Sequence, residues 1–260
     1  MQDRHAHLLS YLASDFWRVI LCASLLHRYS ESEIEALKEL LVKFYYQNWV
    51  ATQKEPKKQT NCNIIKALKE KQSVENIASI VKQYLDDDSN KITQNFREKL
   101  KDDYLYEKHK RSSKNSWLRP ILILVEYFMS DDSYPKRIQM DKNLHVEHIL
   151  PQKPDPSSQW VKDFSEEERE LYTHSLANLT LLGGKKNTQA SNKDFKEKKE
   201  IYMGNAVKLG KDKRGRERTF MVMTCYKMTI DVAQYTEWTP TSLEKRKEEL
   251  IQIIESVLTL

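Results

Sequence analysis

The first 182 of the chain's 260 residues contain no glycine. All five glycines, Gly183, Gly184, Gly204, Gly210 and Gly215, fall in one later stretch. Glycine is the residue that enters left-handed backbone geometry without strain. A long region without it, rich in Leu, Lys and Glu, reads as helical. Unusual backbone geometry is therefore expected only after position 182. Charged residues make up 31% of the chain, and no apolar run approaches the ~20 residues of a membrane span. The chain is accordingly read as soluble, with no membrane partner. Cys22, Cys62 and Cys225 lie far apart, form no CxxC pair, and suit a reducing cytoplasm without structural zinc. The N-terminal Met-Gln-Asp-Arg-His has no apolar signal core.

Helical spacing of apolar residues marks the glycine-free region. Leu8, Leu9, Leu12, Phe16, Ile20 and Ala23 predict one buried helical face from about Leu8 to Leu26. Ser30-Glu31-Ser32-Glu33 offers a capping box, followed by Ile34, Leu37, Leu41, Phe44, Tyr45 and Trp49 on a second helix. Further helices are expected over 63–70, from Ser73 to the Asp86-Asp87-Asp88 break, and from Ile92 to Tyr106. Arg111 to Ser116 is polar. Leu118 to Met129 is apolar nearly all round, so it must be surrounded by other elements, with Pro120 tolerated in its first turn. Ser130 to Pro135 ends it. Residues 1–135 thus read as a helical bundle.

The pattern changes after Pro135. Leu144-His145-Val146-Glu147 is a short strand candidate that Pro151 terminates. Gln152 to Gln159 is a loop. Ser165-Glu166-Glu167-Glu168 is a second capping box, opening a helix to about Ser175. Leu179 to Leu182 is a second strand, Gly183-Gly184 a turn, and Asn192 the cap of a helix over 193–203. Gly204 to Arg218 reads as a mobile basic loop, and Phe220 to Met228 fits either a strand or a helix. Thr239 or Thr241 caps a last helix carrying Leu243, Arg246, Leu250, Ile253, Ile254 and Leu258, which should dock back on the bundle.

Charge is as localised as glycine. The net charge is +5, yet residues 183–218 hold twelve Lys/Arg against five Asp/Glu, a surplus of +7, so the remainder sums to −2. A basic field of this kind favours a polyanion such as nucleic acid.

His145-Val146-Glu147-His148-Ile149-Leu150-Pro151 sets a carboxylate directly beside an imidazole, ahead of that basic stretch. Phosphodiester hydrolysis needs a base for the attacking water, neutralisation of the phosphate oxygens and stabilisation of the leaving oxygen. A neutral histidine serves the first need near pH 7. A hard divalent cation on oxygen ligands serves the other two. Adjacent strand residues normally point to opposite faces, so Glu147 and His148 share one site only if the strand ends or bends there.

The ordered set Glu147-His148-Ile149-Leu150-Pro151, Ala177-Asn178-Leu179-Thr180-Leu181-Leu182 and Asn187 resembles the HNH, or His-Me finger (ββα-metal), endonuclease superfamily. Ser191-Asn192, Phe195, Lys198, Tyr202, Trp238-Thr239 and Arg246 extend the likeness towards the C-terminal nuclease domain of GmrSD-type modification-dependent restriction enzymes. The sharp motifs cover residues 145–202, and a weaker likeness covers most of the chain. The resemblance implies a mainly α protein, a helical bundle with an embedded ββα-metal (HNH) finger. Residues 1–135 would be the bundle, 136–203 the finger, and 204–260 a basic loop and C-terminal helix. It implies His148 as general base, Glu147 and Asn187 as ligands of one Mg²⁺ or Mn²⁺, and Asn178 as the residue holding the interstrand loop. Cleavage would leave a 5′-phosphate and a 3′-hydroxyl. It also implies DNA as substrate, with RNA the alternative, and a restriction or antiviral defence setting in the cytoplasm. The ParB-like N-terminal sensor or NTPase domain of such enzymes would belong to a longer chain or a second subunit. Where the family usually has glycine before the first asparagine, Ala177 stands here, and a positive φ at that position would strain it.

Plainer readings accompany each residue. His148 can be a buried histidine bonded to a carbonyl, Glu147 a surface carboxylate paired with Lys185 or Lys186, and Asn187 a turn residue. His145 lies on the strand face of Glu147 and can be a further metal ligand, a substrate contact or packing. Lys185, Lys186, Lys193, Lys196 and Lys198 are candidate phosphate contacts or solvated charges. His174, on the connecting helix, is given no role. A silent nucleic-acid-binding module of the same fold is the rival to the enzyme.

Overall fold

The computed structural model describes residues 3–109, 116–130, 132, 134–211, 213–223 and 226–260. Cys225, the polar positions 111–115, and Asp131 and Ser133 of the expected helix stop lie outside them. The bundle is built from α1 (Arg4–Leu9), α2 (Phe16–Leu26), α3 (Glu31–Thr52), α4 (Lys58–Lys69), α5 (Val74–Leu85), α6 (Ile92–Leu100), α7 (Leu105–His109) and α8 (Leu118–Phe128). The single helix expected over 8–26 is two, α1 and α2, separated by residues 10–15. The helix expected over 92–106 is likewise divided into α6 and α7. Both capping boxes form. Ser30 and Glu33 bond reciprocally at the start of α3, and Ser165 and Glu168 do so further along.

α8 is the buried axis, with Leu118 and Ile121 through Val125 almost wholly enclosed. Its one buried charge has a use. Glu126 accepts from the backbone N–H groups of Lys227 and Met228 at 2.8 and 3.0 Å, which caps a helix starting at Lys227.

Beyond the bundle come β1 (Leu144–His148), α9 (Gln159–Asp163), α10 (Glu166–Tyr172), a 3-10 turn (Leu176–Asn178), β2 (Leu179–Gly183), α11 (Gly184–Ala190) and α12 (Phe195–Met203). β3 (Val207–Lys211), β4 (Glu217–Phe220), α13 (Lys227–Val232) and α14 (Pro240–Leu258) complete the chain. The protein is mainly α. Gly183-Gly184 is no turn: β2 runs straight into α11. Asn192 does not cap α12, whose N-cap is Asp194. The supposed loop over 204–218 contains one antiparallel ribbon strand, β3, and the start of its partner β4.

β1 and β2 pair antiparallel, Glu147 opposite Thr180 and His148 opposite Leu179. This two-stranded sheet divides two cores. Leu144, Leu179 and Leu181 pack with the bundle, whereas Leu182, Ile149 and Leu150 pack with Trp160, Phe195, Tyr202 and Trp238. α14, capped by Thr239, returns to the bundle as expected: Leu250, Ile254 and Leu258 join its core, and Gln47 of α3 donates to the Leu258 carbonyl at 2.6 Å.

Candidate active site

Glu147 and His148 are the last two residues of β1, and β1 stays regular through both. Successive strand side chains alternate faces, and these two do. Glu147 faces α12, where its Oε1 accepts from Lys198 Nζ at 2.7 Å and from the Tyr202 hydroxyl at 3.0 Å. His148 faces the bundle, where its ring meets Tyr106 of α7 edge-on at 4.2 Å and His174 at 5.5 Å. The bend that would bring carboxylate and imidazole to one side of the strand is absent. What joins them is Lys198, which also donates to the His148 carbonyl at 2.6 Å.

Glu147 is 6% exposed and Lys198 fully buried. Burial pushes the Glu147 carboxyl up and the Lys198 ammonium down, each against their mutual attraction. A buried pair of this kind is costly to assemble and more costly to break. Glu147 is therefore not the surface carboxylate of the plainer reading, and its partner is neither Lys185 nor Lys186. Both described contacts fall on Oε1, and Oε2 makes no hydrogen bond among the described residues.

His148 is as enclosed as its neighbour. Its Nδ1 lies 3.3 Å from Gln152 Nε2, and its Nε2 is buried without a partner among the described residues. Burial holds its pKa down at about 3, with the nearby His174 and Lys198 adding to the effect. The ring is thus neutral at pH 7. His109 behaves similarly: buried against Trp117 at 4.5 Å, it is held at about 4 by desolvation.

These two histidines carry a pH prediction. Both folded-state values lie below the ~6.5 of an unfolded histidine, so the unfolded chain binds protons that the folded chain does not. Their contribution to stability is complete above about pH 6.5 and is lost as pH falls, through about 4 for His109 and about 3 for His148. Each adds about 1.4 kcal/mol per pH unit to the slope within its window. Thermal unfolding followed from pH 7 to 4.5 should show the melting temperature dropping, and His109→Gln with His148→Gln should flatten that drop. An equally steep loss in the double variant contradicts the assignment.

Asn178 is where the local sequence explains itself. Its Oδ1 accepts from the Leu150 backbone N–H at 2.7 Å, and its Nδ2 donates to the carbonyls of Leu150 and Thr173 at 2.8 and 2.9 Å. The Asn178 carbonyl accepts from the Ile149 N–H at 3.0 Å. One buried amide thus fixes the chain directly after His148. Trp238 Nε1 donates to the same Oδ1 at 3.4 Å. Buried Arg246 donates through Nη1 to the carbonyls of Ala177 and Leu179, the latter at 3.0 Å. The tail residues Trp238 and Arg246 therefore hold the asparagine that holds the loop. Ala177 is buried in the 3-10 turn and is not among the residues with positive φ, so alanine is unstrained there.

Asn187 lies half-buried in the middle of α11, a helical rather than a turn residue. His145 shares the Glu147 face, close enough for its charge to bear on that carboxylate. Its Nε2 lies 3.2 Å from where a Cβ on Gly184 would stand. The approach is close and φ is not positive, so a Cβ there would make the His145 ring give by a few tenths of an ångström.

The five candidate lysines separate sharply. Lys185, Lys193 and Lys196 remain towards solvent, with Lys193 paired to Glu197 at 2.5 Å. Lys186 and Lys198 are corrections to the expected phosphate contacts. Lys186 is buried and donates to the Ile201 carbonyl at 2.6 Å and that of Tyr202 at 3.2 Å. Lys198 is turned inward to Glu147. Neither ammonium reaches a bound polyanion as folded. Tyr106, Tyr202 and His174 are neighbours of the pair that no motif in the sequence marks as such. Tyr202 follows Lys198 by four positions, one face of a helix, so that contact had a signal. Tyr106 and His174 had none.

The fold and site define a mainly helical domain that fixes a carboxylate and an imidazole at the end of a two-stranded sheet. The model of a family described as GmrSD restriction endonucleases, C-terminal domain, matches residues 69–253, and the chain belongs to that family. The matched span includes every side chain of the site and omits α1 to α3 and all of α4 except Lys69. Membership places the chain among restriction nucleases. No curated protein and no solved structure matches it. Among the described residues, no helix is long and apolar enough to cross a membrane.

Proposed function

We propose that the chain is a metal-dependent endonuclease of the HNH type that hydrolyses phosphodiester bonds in DNA, the nuclease part of a restriction or antiviral defence protein acting in the cytoplasm. The observation that carries this reading is the order β1, β2, α11, with His148 closing β1, Asn178 locking the connection and Asn187 on the helix that follows. We read this order as that of a ββα finger over residues 136–203.

His148 is the general base. A neutral imidazole is the group that takes the proton of an attacking water, and Asn178 keeps the backbone behind it in place. Glu147 and Asn187 are the ligands of one Mg²⁺ or Mn²⁺, with His145 on the same strand face as a further candidate. One carboxylate and one amide fit such an ion, which keeps several waters and completes its shell with phosphate oxygens. The carboxylate oxygen without a described hydrogen bond, Oε2, is the one suited to the ion. When bound, the ion would neutralise charge on the phosphate and stabilise the leaving oxygen.

One rival has an observation in its favour. His148 is walled in by Tyr106 and His174, which also suits a silent binding module. RNA cleavage would use the same groups. Nicking of supercoiled plasmid in Mg²⁺, alongside an RNA of matched sequence, tests the choice. A protein inert on both across several divalent metals, with a ParB-like sensor partner supplied, would overturn the enzyme reading.

A further inference from the structure

The β3–β4 ribbon has an unusual exposure for a piece of a folded protein. Its open end is anchored: Val207 pairs with Phe220, and both pack against the smaller core. From there to the turn, every described residue between Lys208 and Thr219 is exposed except Leu209. A two-stranded ribbon is marginal alone, because it has no second layer on which to bury a face. Its composition also differs from that of a solvated loop with mixed charge. Residues 207–220 carry six Lys/Arg (Lys208, Lys211, Lys213, Arg214, Arg216 and Arg218) against two Asp/Glu. The one described carboxylate, Glu217, pairs with Lys208 at 3.5 Å, both side chains being more than 60% exposed. Such a pair is weak and readily exchanged for a phosphate.

A groove lies between the ribbon and the start of α11. Beyond β4, Val222 and Met223 line this groove of about 560 Å³ together with Lys136, Arg137, Gly184 and Lys185. Gly184 is the residue against which His145 packs. The anchor of the ribbon and the site share a core, since Val207 and Phe220 pack with Ile149 and Leu150, the two residues after His148.

We propose that the β3–β4 ribbon is a duplex-DNA-binding arm that enters the major groove and sets the position of the duplex relative to the end of β1. The inference rests on the nuclease reading above and adds the substrate's form and the element that grips it. Two strands about 4.8 Å apart with their side chains fit a B-DNA major groove about 12 Å wide. The major groove of A-form RNA is too deep and narrow for them. The ribbon is anchored at its base, and its register shifts between Lys208 and Lys211.

The test is binding of the full chain to a fluorescein-labelled 24-base-pair DNA duplex, in chelator, over a range of salt. Lys211→Gln, Lys213→Gln and Arg218→Gln are combined in one variant. A control removes the same charge from the bundle at Lys58, Lys66 and Lys69. All six positions are exposed, and circular dichroism with thermal melting confirms that each protein folds. The ribbon variant should bind DNA at least tenfold more weakly near 0.1 M salt. Its slope of log affinity against log salt should fall by about 3, the loss of three phosphate contacts. The control should stay within twofold of wild type, and wild type should prefer DNA over duplex RNA of the same sequence at least tenfold. A ribbon variant no weaker than the control, or equal binding of both duplexes, overturns the proposal. Because binding in chelator requires no cleavage, a protein that grips DNA through the ribbon yet nicks nothing would sink the nuclease reading alone. Nicking that persists with the ribbon variant binding normally would sink the arm alone.

Discussion

His148→Ala should reduce nicking of supercoiled plasmid in Mg²⁺ by a factor of 10² to 10⁴, the usual contribution of a positioned general base. The reason is specific to its place. His148 ends β1, Asn178 fixes the backbone that follows it, and no other histidine stands on that strand face: His174 belongs to another element and bonds towards Glu107 at 3.4 Å. His148 is also buried, so the variant's melting temperature must be measured beside its rate. His174→Ala provides the contrast. It opens the same wall without removing the base, and it should retain nicking within about tenfold of wild type. Wild-type rates from a folded His148→Ala protein would contradict the assignment.

Lys198→Met should cost 3–5 kcal/mol of stability, of the order found when one partner of a buried ion pair is removed. Glu147 would then lie in the interior with only the Tyr202 hydroxyl on Oε1, and the His148 carbonyl would lose its donor. Denaturant unfolding reads the loss directly. The double variant Glu147→Gln/Lys198→Met should recover part of it, because the uncompensated charge is gone. Nicking should fall in both, including at temperatures where they are folded, since Lys198 fixes the Glu147 carboxylate and the His148 backbone at once. Lys198→Arg should not restore activity: a planar guanidinium is a poor substitute for a compact ammonium in a closed site. Stability unchanged in Lys198→Met would mean that the buried pair is not what holds this strand end.

Much of this was legible in the sequence, and the failures have physical causes. The capping boxes at Ser30 and Ser165 and the cap at Thr239 were readable because their contacts span three residues. α8 was readable because a helix apolar on all sides has only one place to go. β1 and β2 were readable from composition and from Pro151, and the role of Asn178 came through resemblance. Lys186 and Lys198 were misread because a lysine is solvated unless a distant partner turns it inward, and Glu147 is 51 residues away from Lys198. Tyr106 and His174 reach His148 through the packing of separate elements. Gly184 looked like a turn because glycine is usually needed for its φ, whereas here it makes room for His145. The β3–β4 ribbon looked like a loop because Gly210, Gly215 and the run of charges leave no alternation of apolar and polar residues.

The central claim is that the ends of β1 and α11 form one metal-dependent site, and Mn²⁺ tests it most directly. Crystals of the protein soaked in Mn²⁺ should show one anomalous peak between the Glu147 carboxylate and the Asn187 amide, within reach of His148 through a bound phosphate, and Asn187→Ala should abolish it. A peak at other residues, or one that survives Asn187→Ala unchanged, would contradict the ligand set and with it the proposed reaction.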